Sequence, residues 1–184
     1  MEDVVKISDE KMKKAVEVVK KNFAGVRTGR ASPALLDHIK VEYYGTQVPL
    51  KQLASISVPE PTTLTIQAFD KNSVKDIEKA INTSDLGLPP NTDGGIIRLN
   101  LPKPTEERRK ELVKIIKKEG EDGKVALRNI RRDAMEKLKG AKNKKEMSED
   151  MEKNKEEEIG KLITKYSEEI DKLYKAKEKE IMEV

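Results

Sequence analysis

Apolar residues recur at intervals of three and four along two long, highly charged stretches of this chain. In the first stretch these positions are Leu112, Ile116, Gly120, Gly123, Leu127, Ile130, Ala134 and Leu138. In the second they are Met147, Met151, Ile159, Leu162, Tyr166, Ile170 and Leu173. This spacing predicts two helices of roughly 36–38 residues, or about 55 Å at the α-helical rise, each with one apolar stripe. Helices of that length need partners against which the stripe can be buried.

A shorter stripe of the same kind near the N-terminus supplies a third helix. Its apolar positions are Met12, Val16, Val19, Phe23 and Val26. Three stripes that must be buried predict a three-helix bundle. Thr105 and Ser148 each precede two acidic residues and are suited to cap the second and third helices. Either the close approach of a neighbouring helix or a local bend would explain Gly120 and Gly123 on the buried stripe.

Residues 31–104 follow a different pattern, in which apolar and polar residues alternate. The alternating apolar positions are Ile39, Val41 and Tyr43, then Leu64, Ile66 and Ala68, then Ile97, Leu99 and Leu101. A period of two predicts half-buried strands, while Gly45-Thr46 predicts a turn and residues 73–83 a short helix. The predicted fold class is therefore α+β. Residues 1–30 and 105–184 form an elongated three-helix bundle, and residues 31–104 form a small β/α/β domain inserted into it.

Two short proline-containing segments join the inserted domain to the bundle. They are Arg30-Ala31-Ser32-Pro33 and Leu101-Pro102-Lys103-Pro104. Proline fixes its own φ and pushes the preceding residue towards extended conformations, so neither connection can be a continuous helix. Two extended connections allow one domain to move relative to the other. We therefore predict a two-stranded hinge formed by these eight residues.

Charge is distributed unevenly along the chain. Residues 105–145 carry 15 basic and 8 acidic side chains, a net of +7, whereas residues 146–184 carry 8 and 13, a net of −5. Residues 1–30 carry 8 and 5, a net of +3, and residues 31–104 carry 7 and 8, a net of −1. This asymmetry favours a polyanionic partner that meets one side of the molecule. Solvated helix faces would account for the charge alone equally well.

Residues that could carry out a reaction are scarce. With no cysteine and one histidine, His38, the chain offers neither a zinc-binding set nor a nucleophile–base pair. The stretch Gly25-Val26-Arg27-Thr28-Gly29-Arg30 is too short for a phosphate-binding loop and lacks its Lys-Ser/Thr ending. We therefore expect no enzymatic activity, no cofactor and no metal site. No apolar run approaches the roughly 18 residues of a membrane span, and the mixed charges of residues 1–14 are unlike a targeting peptide. A cytoplasmic protein is the expectation.

Arginine placement is the strongest functional signal in the sequence. Lys124, Arg128, Arg131 and Arg132 share one stripe of the second helix, about one residue round from the buried stripe. Arg27 and Arg30 are predicted to end the first helix close to the hinge. Carboxylates of the third helix could pair with the stripe, but only Asp133 and Glu136 are acidic between Lys124 and Lys145. The arginine guanidinium suits phosphate groups, and six aromatic residues are few for base stacking. Binding to the backbone of structured RNA is the favoured interpretation.

Several stretches of the sequence resemble the signature sequences of ribosome recycling factors. They are Arg27 to Pro33 with Leu35-Leu36-Asp37, Val41 to Gly45, Gln52 to Ser55, Ser84 to Leu88, Leu101-Pro102, Thr105 to Lys110 and Val125 to Ala134. The similarity runs nearly from end to end. It is weakest at the extreme N-terminus and over about residues 140–165, so no family contact is carried over to those stretches.

The resemblance implies a fold, a function and partners. It implies an L-shaped pair of domains, a three-helix bundle and an inserted β/α/β domain, acting as a monomer on the bacterial ribosome. The bundle would bind large-subunit ribosomal RNA after termination. Elongation factor G would then use GTP to drive subunit dissociation and release of the mRNA. By this resemblance Arg30, Arg128, Arg131 and Arg132 are RNA-binding residues, with Arg27 and Lys124 as helpers.

A helical chaperone or adapter that binds protein partners through its bundle is the alternative function. It would explain the long helices and the acidic C-terminal segment. It would leave the clustered arginines and the hinge without a role. Sedimentation with ribosomal subunits, compared with capture of protein partners, separates the two functions.

Overall fold

The computed structural model of the protein describes residues 3–184, so the first two residues of the predicted 1–30 segment lie outside it. Helices α1 to α5 span Val4–Gly25, Leu50–Leu53, Val74–Asn82, Glu106–Asn143 and Glu149–Glu183. Strands β1 to β6 span Lys40–Tyr43, Thr46–Pro49, Ala54–Glu60, Thr63–Ala68, Pro90–Asp93 and Ile96–Asn100. Two compact units result. The first, the helical unit, consists of the chain up to Arg27 together with Glu106–Met182. The second, the mixed unit, consists of Thr28–Thr105 together with Glu183–Val184.

The helical unit packs α1, α4 and α5 around one apolar core. The stripes read from the sequence supply its buried residues, which include Met12, Val16, Val19, Phe23, Leu112, Ile116, Leu127, Leu138, Ile159, Tyr166 and Ile170. Polar contacts on the flanks fix how the helices align. Tyr166 on α5 donates a hydrogen bond of 2.6 Å to Asp9 on α1, and Lys20 lies 3.1 Å from Glu169. Each apolar face is therefore buried by the other two helices, because none could bury it alone.

Close helix packing explains Gly123, one of the two glycines on the buried stripe of α4. A Cβ atom added at Gly123 would overlap a methyl group of Val19 on α1 and lie 3.3 Å from Ile170 Cδ1 on α5. A Cβ atom at Gly120 would lie 3.7 Å from Phe23 Cζ. Close approach of a neighbouring helix is therefore the explanation for Gly123, whereas a Cβ atom at Gly120 would make only ordinary van der Waals contacts.

The turn between α4 and α5 has defined capping at both ends. Glu146 donates its backbone N–H to the carbonyl of Ala141, and Lys145 donates to that of Lys142, at 3.0 and 2.9 Å. These two bonds form a Schellman motif, with Lys145 in the left-handed conformation at φ 58°. The hydroxyl of Ser148 accepts a 3.2 Å hydrogen bond from the Met151 N–H, as its predicted capping role requires.

The mixed unit contains two antiparallel sheets and one amphipathic helix. Strands β1 and β2 form a hairpin, and the larger sheet has the strand order β3-β4-β6-β5. Register is set by apolar pairs such as Leu64 opposite Leu99 and Ile66 opposite Ile97. Helix α3 adds its buried Val74, Ile77 and Ile81 to the same core. These core residues lie on β4 and β6, which the alternating pattern predicts, and on α3, which corresponds to the short helix predicted over residues 73–83.

The structure corrects the predicted end of the first helix. Helix α1 ends at Gly25, and Val26 is extended with φ −78° and ψ 109°, so Arg27 and Arg30 follow the helix instead of ending it. Strands β2, β3 and β5 were not predicted, and the turn lies at Tyr44-Gly45, one residue before the predicted Gly45-Thr46. The α+β class, with long helices and a small β-sheet domain, is confirmed. Within residues 3–184, no helix is long and apolar enough to cross a membrane.

Candidate nucleic-acid interface

Helix α4 presents Arg128, Arg131 and Arg132 to solvent. All three side chains are exposed, whereas Leu127 between Lys124 and Arg128 is fully buried. The helical period sets this arrangement, because positions 128, 131 and 132 turn away from the stripe that packs against α1 and α5. One rigid helix therefore carries three guanidinium groups within five residues.

None of these three guanidinium groups is neutralised within residues 3–184. No ion pair and no side-chain hydrogen bond involves Arg128, Arg131 or Arg132 in that part of the chain. Unpaired arginines keep all five N–H donors available for a ligand. Pairing with carboxylates of the third helix would have argued against the predicted role of these arginines. No such pairing occurs at these three positions in the described residues.

The distribution of carboxylates on α5 explains why the arginines are unpaired. Lys142 and Lys124 on α4 each lie 2.6 Å from an α5 carboxylate, Glu152 and Asp171 respectively. Between these two ion pairs, residues 159–167 of α5 contain no acidic side chain. Because the two ion pairs align α4 with α5, this acid-free segment lies at the same level of the bundle as Arg128, Arg131 and Arg132. The stretch of α4 between the two ion pairs therefore keeps its positive charge.

Acidic residues of α4 itself do not cancel this charge. Asp133 lines a shallow groove between α1 and α4 together with Lys11 and Lys137. Glu136 is exposed, and no ion pair links it to Arg132 one turn earlier in the described chain. Local neutralisation is thus incomplete, as the composition of residues 124–145 predicts.

Lys124 differs from the three arginines. Its Nζ lies 2.6 Å from Asp171 Oδ1 and 4.0 Å from Glu121 Oε1, and its side chain is only 27% exposed. An ammonium held in this way must give up an ion pair before it can contact a phosphate. The structure therefore brings Lys124 beside the arginines but assigns it a contact between α4 and α5.

Ion pairing also fixes the end of α4 that lies nearest to the turn. The carboxylate of Glu152 is almost buried, with 8% of the side chain exposed, and it receives the Lys142 ammonium. The hydrogen bond with Glu152 raises the pKa of Lys142, against the opposing effect of burial. Lys142 is therefore held as a structural cation, like Lys124 at the other end of the interval.

Arg27 and Arg30 are exposed residues of the irregular segment after α1. Neither forms an ion pair within residues 3–184. Arg27 belongs to the helical unit and Arg30 to the mixed unit. Arg30, a predicted RNA-binding residue, and Arg27, a predicted helper, are thus both available for a ligand. Both lie on irregular backbone.

The two predicted hinge segments are irregular apart from Pro33, which begins a 3-10 helix over Pro33–Leu36, and both are anchored by backbone hydrogen bonds at the mixed unit. Ala31 donates its N–H to the Pro61 carbonyl at 2.7 Å, and Leu101 donates to the Thr62 carbonyl at 2.8 Å. Ser32 is extended and its hydroxyl accepts from the Ala34 N–H. Residues 101–105 contain no helix or strand. Motion about these segments stays a prediction.

Neither a metal site nor a histidine-based site is built in this region. No group of three or more His, Asp or Glu side chains that could hold a metal ion occurs among the described residues. His38 is exposed, just before β1.

The model of the family described as "Ribosome recycling factor" matches residues 19–182 of this chain. This chain belongs to that family. A ribosome-recycling factor of Symbiobacterium thermophilum is 53% identical over 182 residues, which is 99% of this chain and 98% of the relative. The factor of Caldicellulosiruptor saccharolyticus is 54% identical over 184 residues and the whole of both chains. The resemblance found in the signature stretches is confirmed.

Solved structures of ribosome recycling factors share this fold. A solution structure of a ribosome recycling factor is 50% identical to this chain, with a TM-score of 0.69, and the match covers 100% of this chain and 97% of the other. A second, with 48% identity and a TM-score of 0.59, covers 97% and 96%. It is the T. thermophilus ribosome recycling factor placed with the E. coli elongation factor G on the E. coli post-termination complex.

One part of the candidate site was missed in the sequence analysis of this chain. The acid-free interval of α5, residues 159–167, decides whether the α4 arginines are neutralised. Its signal was present, because thirteen acidic residues in positions 146–184 leave a gap of nine positions between Glu158 and Glu168. Reading that gap needed the alignment of α4 with α5, which the two cross-helix ion pairs supply.

Proposed function

We propose that this chain binds post-termination ribosomes through ribosomal RNA and, with elongation factor G and GTP, promotes subunit dissociation and release of the mRNA. Membership of the ribosome recycling factor family supports this role. So does the similarity to a ribosome recycling factor placed with elongation factor G on a post-termination complex. The partners are the bacterial ribosome, through large-subunit RNA, and elongation factor G, with one copy of the chain acting per ribosome.

The observation that carries the RNA-binding proposal is the unpaired state of Arg128, Arg131 and Arg132. Contact with phosphates releases counter-ions, and the affinity gained scales with the number of phosphates neutralised. The rigid helix fixes the spacing of the three arginines, and each planar guanidinium loses less side-chain entropy per hydrogen bond than a lysine ammonium does, which suits recognition of folded RNA through its backbone. Arg27 and Arg30 extend the set. Lys124 contributes less, because its ion pair with Asp171 must break first.

A helical adapter that binds protein through its bundle is the competing function. It offers no reason for three exposed arginines without partners opposite an acid-free segment. The hinge likewise has a purpose only if the two domains do different work. In the proposed cycle the RNA-bound bundle stays in place while elongation factor G drives the smaller domain about residues 30–33 and 101–104.

Splitting of purified post-termination ribosomes is the direct test. The chain should dissociate subunits only when elongation factor G and GTP are both present, since in the proposed cycle the energy for splitting comes from GTP used by elongation factor G. The absence of splitting under those conditions, with capture of a protein partner instead of ribosomes, would support the adapter function.

Hinge function has its own test. Deleting Lys103 shortens one connection without touching the arginines, and it should preserve ribosome binding but slow splitting. The matched control is Lys103→Ala, which removes the same side chain but keeps the length of the connection. If deleting Lys103 alters neither binding nor splitting, these segments have no mechanical role.

A further inference from the structure

All three aromatic residues of the mixed unit lie outside its core. The core consists of aliphatic residues alone: Ala31, Leu36, Ile39, Val41, Leu50, Ala54, Leu64, Ile66, Val74, Ile77, Ile81, Ile97 and Leu99. Tyr44 is 83% exposed, Phe69 is 70% exposed and Tyr43 is half-buried. Aromatic side chains bury the largest apolar area of any residues. A small domain that leaves all of them at its surface is not using them for its own folding.

The backbone at Tyr44 is unfavourable for tyrosine. Tyr43 pairs with Thr46, so Tyr44 and Gly45 form a two-residue hairpin loop, with φ values of 49° and 75°. Two positive φ values define a type I′ turn, in which asparagine, aspartate or glycine is preferred at the first position. Tyrosine therefore weakens the hairpin relative to asparagine. Strain of this kind at an exposed residue is characteristic of functional positions.

Tyr43, Tyr44 and Asp70 are held together in a fixed arrangement. The rings of Tyr43 and Tyr44 meet edge to face, with centroids 4.5 Å apart and planes at 76°. The Tyr43 hydroxyl donates a long hydrogen bond, 3.4 Å, to Asp70 Oδ2. Asp70 Oδ1 accepts from the Asn72 N–H at 2.9 Å. The rings and the carboxylate are thus positioned before any partner arrives, which lowers the entropy cost of binding.

Phe69 adjoins this group in the sequence. It precedes Asp70 in the chain, and its N–H donates to the Leu53 carbonyl at 3.0 Å. We call Tyr43, Tyr44 and Asp70 the aromatic patch. Tyrosine is the residue type most often found, with tryptophan and arginine, where protein–protein interfaces concentrate their binding energy.

The charge around the aromatic patch selects the chemistry of its partner. Residues 31–104 carry 7 basic and 8 acidic side chains, so this part of the chain does not attract a polyanion. The faces of aromatic rings attract cations, and the Asp70 carboxylate does the same. A protein loop that presents arginine or lysine satisfies both groups, whereas RNA would bring phosphates towards Asp70.

We propose that the aromatic patch is a docking surface for a basic protein loop, which places an arginine or lysine over the tyrosine rings and against Asp70. This inference rests on the proposed function, because the loop would belong to a protein met on the ribosome during splitting. The patch gives the mixed domain a protein contact, while the arginines of α4 give the bundle its RNA contact.

Tyr44→Asn is the first test, because asparagine suits the turn and only the ring is lost. The variant should unfold at an equal or higher urea concentration than the wild type and bind RNA through α4 as before. Its splitting rate with elongation factor G and GTP should fall about tenfold, the effect of losing one central aromatic contact. Gln47→Ala, exposed on the same hairpin, is the control and should split at the wild-type rate. Wild-type splitting by Tyr44→Asn would overturn the proposal.

Photo-cross-linking identifies the class of partner. A p-benzoylphenylalanine in place of Tyr44 keeps an aromatic ring at the position and reacts with whatever covers it. On post-termination ribosomes with elongation factor G and a non-hydrolysable GTP analogue, the expected product is a protein peptide rich in arginine or lysine. A cross-link to ribosomal RNA, or no cross-link, would overturn the proposal.

Failure of this inference can be told apart from failure of the proposed function. If the wild-type chain neither binds nor splits ribosomes, the proposed function is wrong, and the docking surface falls with it. If the wild type splits ribosomes and Tyr44→Asn does so equally well, only the docking surface is wrong.

Discussion

Replacing Gly123 with alanine should destabilise the helical unit. The added Cβ atom would overlap the Val19 methyl group and lie 3.3 Å from Ile170 Cδ1, with buried side chains on both sides. Overpacking of a well-packed core costs about 1–3 kcal/mol. This overlap belongs near the upper end, because the Val19 methyl group is attached directly to Cβ and cannot move away without a change of rotamer or of backbone position. Alanine returns about 1 kcal/mol of helix propensity, so the net loss should be about 2 kcal/mol.

Gly160→Ala is the matched control. Gly160 lies within α5, and nothing lies within 4 Å of a Cβ atom added there. The same chemical change should therefore stabilise the protein by up to about 1 kcal/mol, through helix propensity alone. The two substitutions should differ by about 3 kcal/mol in the free energy of unfolding, with opposite signs.

Urea unfolding followed by circular dichroism measures both variants. A third variant, Val19→Ala combined with Gly123→Ala, removes the overlapping methyl group and should recover part of the loss. The double-mutant cycle should show a favourable coupling energy, as expected for residues in contact. If Gly123→Ala stabilised the protein as much as Gly160→Ala does, close packing of α1 against α4 would not be the reason for the glycine.

Two further predictions concern the same unit. Lys145→Gly should raise the free energy of unfolding by about 1 kcal/mol, because glycine adopts the left-handed conformation at φ 58° without a steric cost; an unchanged urea midpoint would contradict this. Burial, followed by the hydrogen bond to Asp9, raises the pKa of Tyr166 from 10.0 to about 12. The folded state therefore favours the neutral phenol, and the stability that this provides below pH 10 should be lost as the pH rises towards 12. Tyr166→Phe should lose less stability across that window; an identical alkaline loss in both proteins would show that Tyr166 does not titrate with unfolding.

The helices were predictable because their stripes are long. Over about ten turns, residues such as Leu112 and Leu138 can share a face only if the whole segment is helical. The end of α1 was not predictable in the same way. Val26 continues the apolar stripe, but its backbone is extended after Gly25. One apolar residue in register does not determine whether a helix ends before it or after it.

Short strands escaped prediction for a related reason. Strands β2 and β5 have only four residues each, and most of those residues are exposed, so neither shows an alternating pattern. They form because β1 and β6 offer neighbouring backbone groups with which to pair. In β3, Ala54, Ile56 and Val58 do alternate, although Pro59 obscures the pattern.

The candidate site was likewise predictable only in part. Positions of the arginines on one face of α4 follow from the helical period alone. Whether a cation is paired depends on which residue of α5 lies opposite, as the contrast between Lys124 and Arg128 illustrates. That alignment is a tertiary property, and no spacing within α4 contains it.

The salt dependence of ribosome binding tests the central claim most directly. Wild type, a variant with Arg128, Arg131 and Arg132 all replaced by glutamine, and the control Lys124→Gln should be titrated onto post-termination ribosomes at several salt concentrations. Each arginine that contacts a phosphate should contribute about one unit to the slope of log affinity against log salt. The triple variant should therefore bind more weakly, with a slope shallower by about three units, while its helical circular-dichroism spectrum is retained. Lys124→Gln should change the slope much less. Equal slopes and equal affinities for the wild type and the triple variant would contradict the assignment of this face of α4 to RNA.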